Sequence, residues 1–202
     1  GHSQEAKGEL TAFYTSDLID YVEGEAGDAY DGRLNRFTRR IVFVKPEVVL
    51  IYDTLEAPKH VTFEWRLHAP VEMMVNGQED IRVVNGAAAA KASFLWPKDL
   101  AVTQTDKFDT PPRPRVRLVE YHLAAATKEK SDFATFVTVL RPHRSTAAIE
   151  GESRIEEHGG EYKVKVPLRD GVAMFRLAGD EIEAEVRNRQ GSMLGSYKRI
   201  GR

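Results

Sequence analysis

The chain contains no cysteine. Disulfides, thiolate metal sites and cysteine nucleophiles are excluded, but no compartment is, since exported bacterial proteins often lack cysteine too. Long apolar runs are also missing; none approaches the roughly 18 residues that a membrane-spanning helix needs. No secretory signal opens the chain, which starts Gly1-His2-Ser3 rather than with Met. Those three residues read as an expression scar, so the natural protein is expected to extend upstream, and residues 4–202 read as one domain. Charge of one sign is not in excess: 29 Lys and Arg against 31 Asp and Glu give a net charge of −2. That balance argues against a partner such as nucleic acid or an anionic membrane. The basic runs RPRVR at 113–117 and RPHR at 141–144 read as solvated strand ends and turns.

Helical periodicity is scarce, and what is present has period two. Strands are expected over GELTAFYT at 8–15, RRIVFV at 39–44, VVLIYD at 48–53, DIRVV at 80–84, ASFLW at 92–96, LAVTQ at 100–104 and RVRLVEYHL at 115–123. RRIVFV and VVLIYD are near-continuous apolar runs, the pattern of strands buried on both faces, and Lys45-Pro46-Glu47 between them suits the tight turn of an antiparallel hairpin. FATFVTVL at 133–140 is apolar on both parities and belongs at the centre of a sheet. The last third reads as a meander of hairpins punctuated by HGGE, RDG, AGDE and NRQG, ending in MLGSYKRI at 193–200. DTPPRP at 109–114 reads as a loop. DLIDYVEGEAGDAY at 17–30 suits a short helix or an irregular strand, and AAAAKA at 87–92 has helix-prone composition. The expected architecture is all-β with little helix: a large antiparallel two-sheet β-sandwich, supersandwich-like, because a dozen or more strands bury their apolar faces best on each other.

The segment HVTFEWRLHAP at 60–70 alternates apolar Val61, Phe63, Trp65 and Leu67 with polar His60, Thr62, Glu64, Arg66 and His68. Alternation alone does not distinguish a working surface from the wet side of an inert sheet. No tight histidine pair occurs, and His60 and His68, if on one strand, lie about 26 Å apart, so no metal ligand set is expected; a single metal held by ligands from distant strands is the less favoured alternative. There is no GxSxG elbow and no phosphate-binding glycine loop. The acid pairs EGE at 23–25 and EE at 156–157 read as solvated loops rather than a glycosidase pair. Asp53, closing a very apolar strand, is more unusual. It reads as a structural polar residue that caps a turn or pairs with Arg39 or Arg40, against a less favoured catalytic role. Trp65 belongs with Phe63 in the core.

Three stretches together are distinctive: DYVEGEAGDAY, RFTRRIVFVKPEVVLIYDTLEA and HVTFEWRLHAP. They resemble the C-terminal β-sandwich domain of heparinase II/III-like polysaccharide lyases, over about the first third of the chain. The resemblance implies a β-sandwich packed behind an N-terminal α/α toroid, in a periplasmic or secreted enzyme that cleaves uronate-containing glycans by β-elimination. It also implies that the Tyr, His and Asn groups of catalysis lie largely in the toroid. The family's metal-binding His/Asp motifs and its His-Asn-Thr segment are not found here, so no catalytic residue carries over and no cofactor is expected. The isolated chain is then an inactive fragment. The alternative is a non-catalytic carbohydrate-binding or interaction sandwich. Glu64, Arg66 and His68 are the candidates for contact with acidic polysaccharide or with the helical domain, and plain solvent is the third possibility for that face.

Overall fold

The computed structural model describes residues 8–108 and 120–201. In chain order the elements are β1 (Glu9–Thr15), β2 (Ile19–Glu25), a 3-10 turn (Gly27–Tyr30), β3 (Arg36–Val44), β4 (Val48–Val61) and β5 (Glu64–Ala69). Then come β6 (Met74–Val75), β7 (Ile81–Asn85), β8 (Ala88–Trp96), β9 (Leu100–Thr105) and β10 (Tyr121–Thr127). The remainder is β11 (Ser131–Arg144), β12 (Arg154–His158), β13 (Glu161–Leu168), β14 (Gly171–Ala178), β15 (Glu181–Asn188) and β16 (Met193–Arg199). No helix among the described residues is long and apolar enough to cross a membrane.

The all-β, antiparallel sandwich expected from the periodicity is present, with one addition: there are three sheets instead of two. An eight-stranded sheet of order β1-β2-β3-β4-β11-β8-β7-β6 lies between a five-stranded meander, β12 to β16, and a three-stranded sheet of order β5-β10-β9. The large sheet is apolar on both faces, so each face requires a cover. One face buries Leu50, Tyr52, Val137 and Val139 against Val164, Phe175, Leu177 and Ile182 of the meander. The other buries Ile51, Phe94, Ala134 and Phe136 against Trp65, Leu100, Leu123 and Ala125 of the small sheet. Two parities of β4 and β11 thus serve two cores. This is why 48–53 and 133–140 read as continuous apolar runs.

The β3–β4 hairpin closes through Lys45-Pro46 as expected, with Glu47 N donating to Val44 O at 3.0 Å. β11 is central, paired with β4 and β8. Residues 17–30 combine both options, a strand followed by a 3-10 turn.

Several expectations need correction. HVTFEWRLHAP is not one strand: β4 ends at Val61 and belongs to the large sheet, and β5 starts at Glu64 in the small one. The chain changes sheets there because Phe63 and Trp65 both turn into the core between them, and Thr127 secures the corner, its N donating to Phe63 O at 2.9 Å. Of the polar comb, Glu64, Arg66 and His68 therefore line the outer face of the small sheet, whereas His60 belongs to β4 of the large one and Thr62 to the crossing between them. AAAAKA is strand: β8 starts at Ala88, pairing with β7 and β11, and ladder contacts override alanine's helix propensity.

EGE is no solvated loop, since Glu23 and Glu25 lie on β2 and Glu23 is buried. Arg141 of RPHR is likewise buried; its guanidinium donates to the carbonyls of Glu150, Gly151 and Pro167 at 2.7–2.9 Å. Backbone carbonyls satisfy this guanidinium, and burial outweighs the charges of Glu47, Glu152 and Glu150 and holds its pKa below the usual arginine value. The RPRVR run, the DTPPRP loop, the 115–119 part of the RVRLVEYHL strand and the Gly1-His2-Ser3 start lie outside the described residues; Tyr121–Leu123 is the start of β10.

Candidate functional site

Strand β5 sorts its side chains by parity. Trp65 and Ala69 are buried, and Glu64, Arg66 and His68 are exposed. Across the ladder, Glu64 faces Ala126, Arg66 faces Ala124 and His68 faces His122. On the far side of β10, Ala124 faces Thr103 and His122 faces Thr105. Ala124 and Ala126 of β10 are thus small between the long side chains of β5 and the residues of β9, with the His122 ring at one end. That leaves a depression of about 530 Å³ lined by Arg66, His68, Thr103, Thr105, Lys107, Glu120 and His122.

A second cleft, of about 770 Å³, opens at the margin between the small and large sheets. It is lined by Tyr30 and Arg33 from the region of the 3-10 turn, by Arg39 and Asp53 from β3 and β4, and by Trp65. Glu64 and Arg66 line both clefts and form the ridge between them. Those two side chains pair with each other, Arg66 Nε donating to Glu64 Oε2 at 2.9 Å. Both are open to water, so the pair holds the ridge in shape without contributing much stability.

Arg39 and Asp53 stand directly opposite each other in the β3–β4 hairpin. The contact is bidentate, Nε to Oδ1 at 2.7 Å and a terminal nitrogen to Oδ2 at 2.8 Å. Asp53 is fully buried, and Oδ2 also accepts from Trp65 Nε1 at 2.8 Å. Three donors fill this carboxylate, the arrangement a buried anion needs. Burial alone would lower the Arg39 guanidinium, but the Asp53 hydrogen bonds and charge outweigh it and raise its pKa. The guanidinium also stacks near the rings of Phe37 and Trp65, at 5.4 and 5.2 Å from their centroids. Asp53 and Arg39 form the floor of the larger cleft and fasten two sheets together. Beside them, burial raises the pKa of Tyr30.

The structure therefore gathers the residues singled out by sequence around two adjoining clefts: Arg39 and Asp53 in one, His68 in the other, Glu64 and Arg66 between. Sequence reasoning missed Glu120 and His122. His68 Nδ1 lies 2.7 Å from Glu120 Oε1, and the His68 and His122 rings are 4.7 Å apart. A search limited to histidine pairs passes over Glu120-Tyr121-His122, although residues two apart on a strand share a face. Among the described residues, Arg33 and Lys107 are exposed cations lining these clefts without an ion-pair partner. With the threonine hydroxyls and Tyr30, they suit an anionic, hydroxyl-rich ligand better than an apolar one.

No protein-family model matches this chain, and no curated protein matches it in sequence. Solved structures do match in fold. A heparinase III, the BT4657 gene product, superimposes with a TM-score of 0.64 at 15% identity, covering 96% of this chain and 28% of that one. The heparan sulfate lyase HepC from Pedobacter heparinus gives a TM-score of 0.60 at 13% identity, covering 79% of this chain and 26% of the other. A further heparinase III structure covers 98% of this chain at a TM-score of 0.54 and 11% identity. This chain spans little more than a quarter of the length of those proteins, 26% to 28%. In fold, it is a heparinase-like β-domain.

Proposed function

We propose that this chain is the C-terminal β-domain of a polysaccharide lyase that cleaves uronate-containing glycans by β-elimination. The observation that carries the reading is the match of 96% of this chain onto 28% of a heparinase III. Such a proportion fits a domain whose partner supplies the remaining three quarters, and an α/α toroid in the same protein is that partner. Eliminating a uronoside needs a base for the proton beside the carboxylate, an acid for the departing glycosidic oxygen and donors that neutralise the carboxylate. On this reading the base and acid come from the toroid. The β-domain contributes a wall: Arg33, Arg66 and Lys107 hold acidic groups of the glycan electrostatically, and the Arg39–Asp53–Trp65 set keeps that wall rigid. A periplasmic or secreted location accompanies the same reading.

The presence of Arg33 and Lys107, without ion-pair partners among the described residues, beside cleft hydroxyls favours a second reading. In it the domain binds acidic glycan without taking part in cleavage. Two measurements separate the readings. The ultraviolet absorbance of unsaturated uronate is followed on heparan sulfate, hyaluronan and alginate, with this chain alone and with the upstream helical region restored. Activity only in the longer protein supports the lyase reading. Activity of the 202-residue chain by itself would refute the assignment of catalysis to the toroid. Micromolar binding by this chain, lost in Arg66→Ala, together with an inactive longer protein, selects the second reading.

A further inference from the structure

His68 on β5 faces His122 on β10, and Glu120 lies two residues before His122 on the same side of the sheet. One ligand atom from each of the three lies within 4.8 Å of the other two. An ordinary surface hydrogen bond accounts for His68 and Glu120, which are 46% and 30% exposed. It does not account for His122. Its Nε2 is buried with no hydrogen-bond partner among the described residues, and the Phe108 ring packs perpendicular to the imidazole with centroids 4.6 Å apart. A buried imidazole nitrogen without a partner is costly unless something accepts its lone pair or its proton.

We propose that His68, Glu120 and His122 form a site for a zinc-class divalent cation. Two imidazoles and one carboxylate are a borderline ligand set, which selects zinc and its transition-metal neighbours over calcium or magnesium, which prefer oxygen alone. Ligands bound at about 2.0–2.2 Å in a tetrahedron lie about 3.4 Å apart. Closing from 4.8 Å takes rotations of His68 and Glu120, whose side chains are open enough to make them, onto an anchored His122. Three protein ligands leave a fourth position, and it faces the 530 Å³ cleft beside Arg66 and Lys107. That position accepts water or an anionic oxygen. The site stands whether or not the protein is a lyase, because it is built only from the ligands themselves.

The test is calorimetric titration of the metal-stripped chain with zinc chloride alone. One ion is expected to bind with micromolar or tighter affinity, and His68→Ala, His122→Ala and Glu120→Gln are each expected to weaken it about tenfold or more. His60→Ala and His143→Ala leave it unchanged. Circular dichroism checks that the variants fold, and the visible spectrum of the cobalt-loaded chain gives a second readout, with intense tetrahedral bands expected only when all three residues are present. Absence of one-to-one binding, or binding that survives the triple substitution, overturns the proposal. Competition by equimolar calcium would equally refute the zinc-class assignment.

Discussion

Trp65 donates its indole Nε1–H to Asp53 Oδ2 at 2.8 Å, so a residue of the three-stranded sheet is bonded to one buried in the eight-stranded sheet. The same carboxylate takes both Arg39 bonds. Removing Arg39 leaves a buried anion with one donor. Arg39→Ala is therefore expected to cost about 3–5 kcal/mol. Trp65→Phe, which deletes one hydrogen bond to a charged group and puts a smaller ring in a buried site, should cost at least about 1.5–3 kcal/mol. Urea unfolding at pH 7 measures both. Equal costs would mean that the guanidinium contributes no more than the indole.

Glu23 gives a prediction in pH. Burial pushes its carboxyl upward, but hydrogen bonds from Thr11 and Tyr21 and the charge of Arg40 outweigh that, and the net shift is below the usual 4.5. A carboxylate whose folded pKa lies below its unfolded one stabilises the fold above the unfolded value. That contribution is lost as pH falls through the folded value. Stability should thus decline from about pH 5 downward, and Glu23→Gln should flatten part of that slope while lowering stability at pH 7. An unchanged slope between pH 5 and 3 in the variant would contradict the assignment.

Arg40 joins the same cluster to the meander. It is 1% exposed and bonds Glu23 at 3.0 Å and also Asp180, which lies in the β14–β15 turn. Arg40→Met takes the nearer cation from Glu23, leaving it the Thr11 and Tyr21 hydroxyls and Arg199 at 3.7 Å, and should cost about 3–5 kcal/mol. Adding Glu23→Gln to Arg40→Met should recover part of it, because the under-compensated charge is then gone. A double-mutant cycle with strictly additive costs would show that the two groups are not coupled.

On the outer face the opposite holds. Arg66 and Glu64 are exposed, so Arg66→Ala should change stability by less than about 1 kcal/mol. Its effect belongs to binding: glycan affinity measured by titration should fall while the melting temperature stays within a degree or two. A large loss of stability would place Arg66 in the scaffold instead.

Gly171 tests the meander directly. A Cβ built there would sit 1.9 Å from the Arg187 carbonyl oxygen, and backbone does not yield as a side-chain tip does. Gly171→Ala is expected to cost at least about 1–3 kcal/mol by forcing β14 and β15 apart. Gly159, where a Cβ meets nothing within 4 Å but φ is +60°, should cost about 1 kcal/mol on the same change.

How far the site was legible follows from the range of the signals. Glu64, Arg66 and His68 stand out because alternation along β5 puts them on one side, a local property. Asp53 stands out because an acid closing an apolar run needs a donor, and hairpin register supplies Arg39. Glu120 and His122 join His68 only through the β5–β10 pairing, across more than 50 residues of chain; the His68–Glu120 separation is 52. Nothing near 68 in the sequence announces that neighbour. The alanine run of β8 shows the same limit, because its strand state comes from β7 and β11 and not from alanine itself.

Period-two patterning and turn residues by themselves determined that this protein is antiparallel β with a hairpin at Pro46, a central strand at 133–140 and a meander at its end. Those features depend on side-chain direction and backbone freedom over a few neighbouring residues. Tertiary structure alone decided that the large sheet is covered on both faces by different sheets, that the chain switches sheets between Val61 and Glu64, and that two histidines and a glutamate meet. The alternation of a strand says which side is apolar, not what will cover it. That choice is made by non-local burial, where several arrangements satisfy the same local pattern and only one fills both cores.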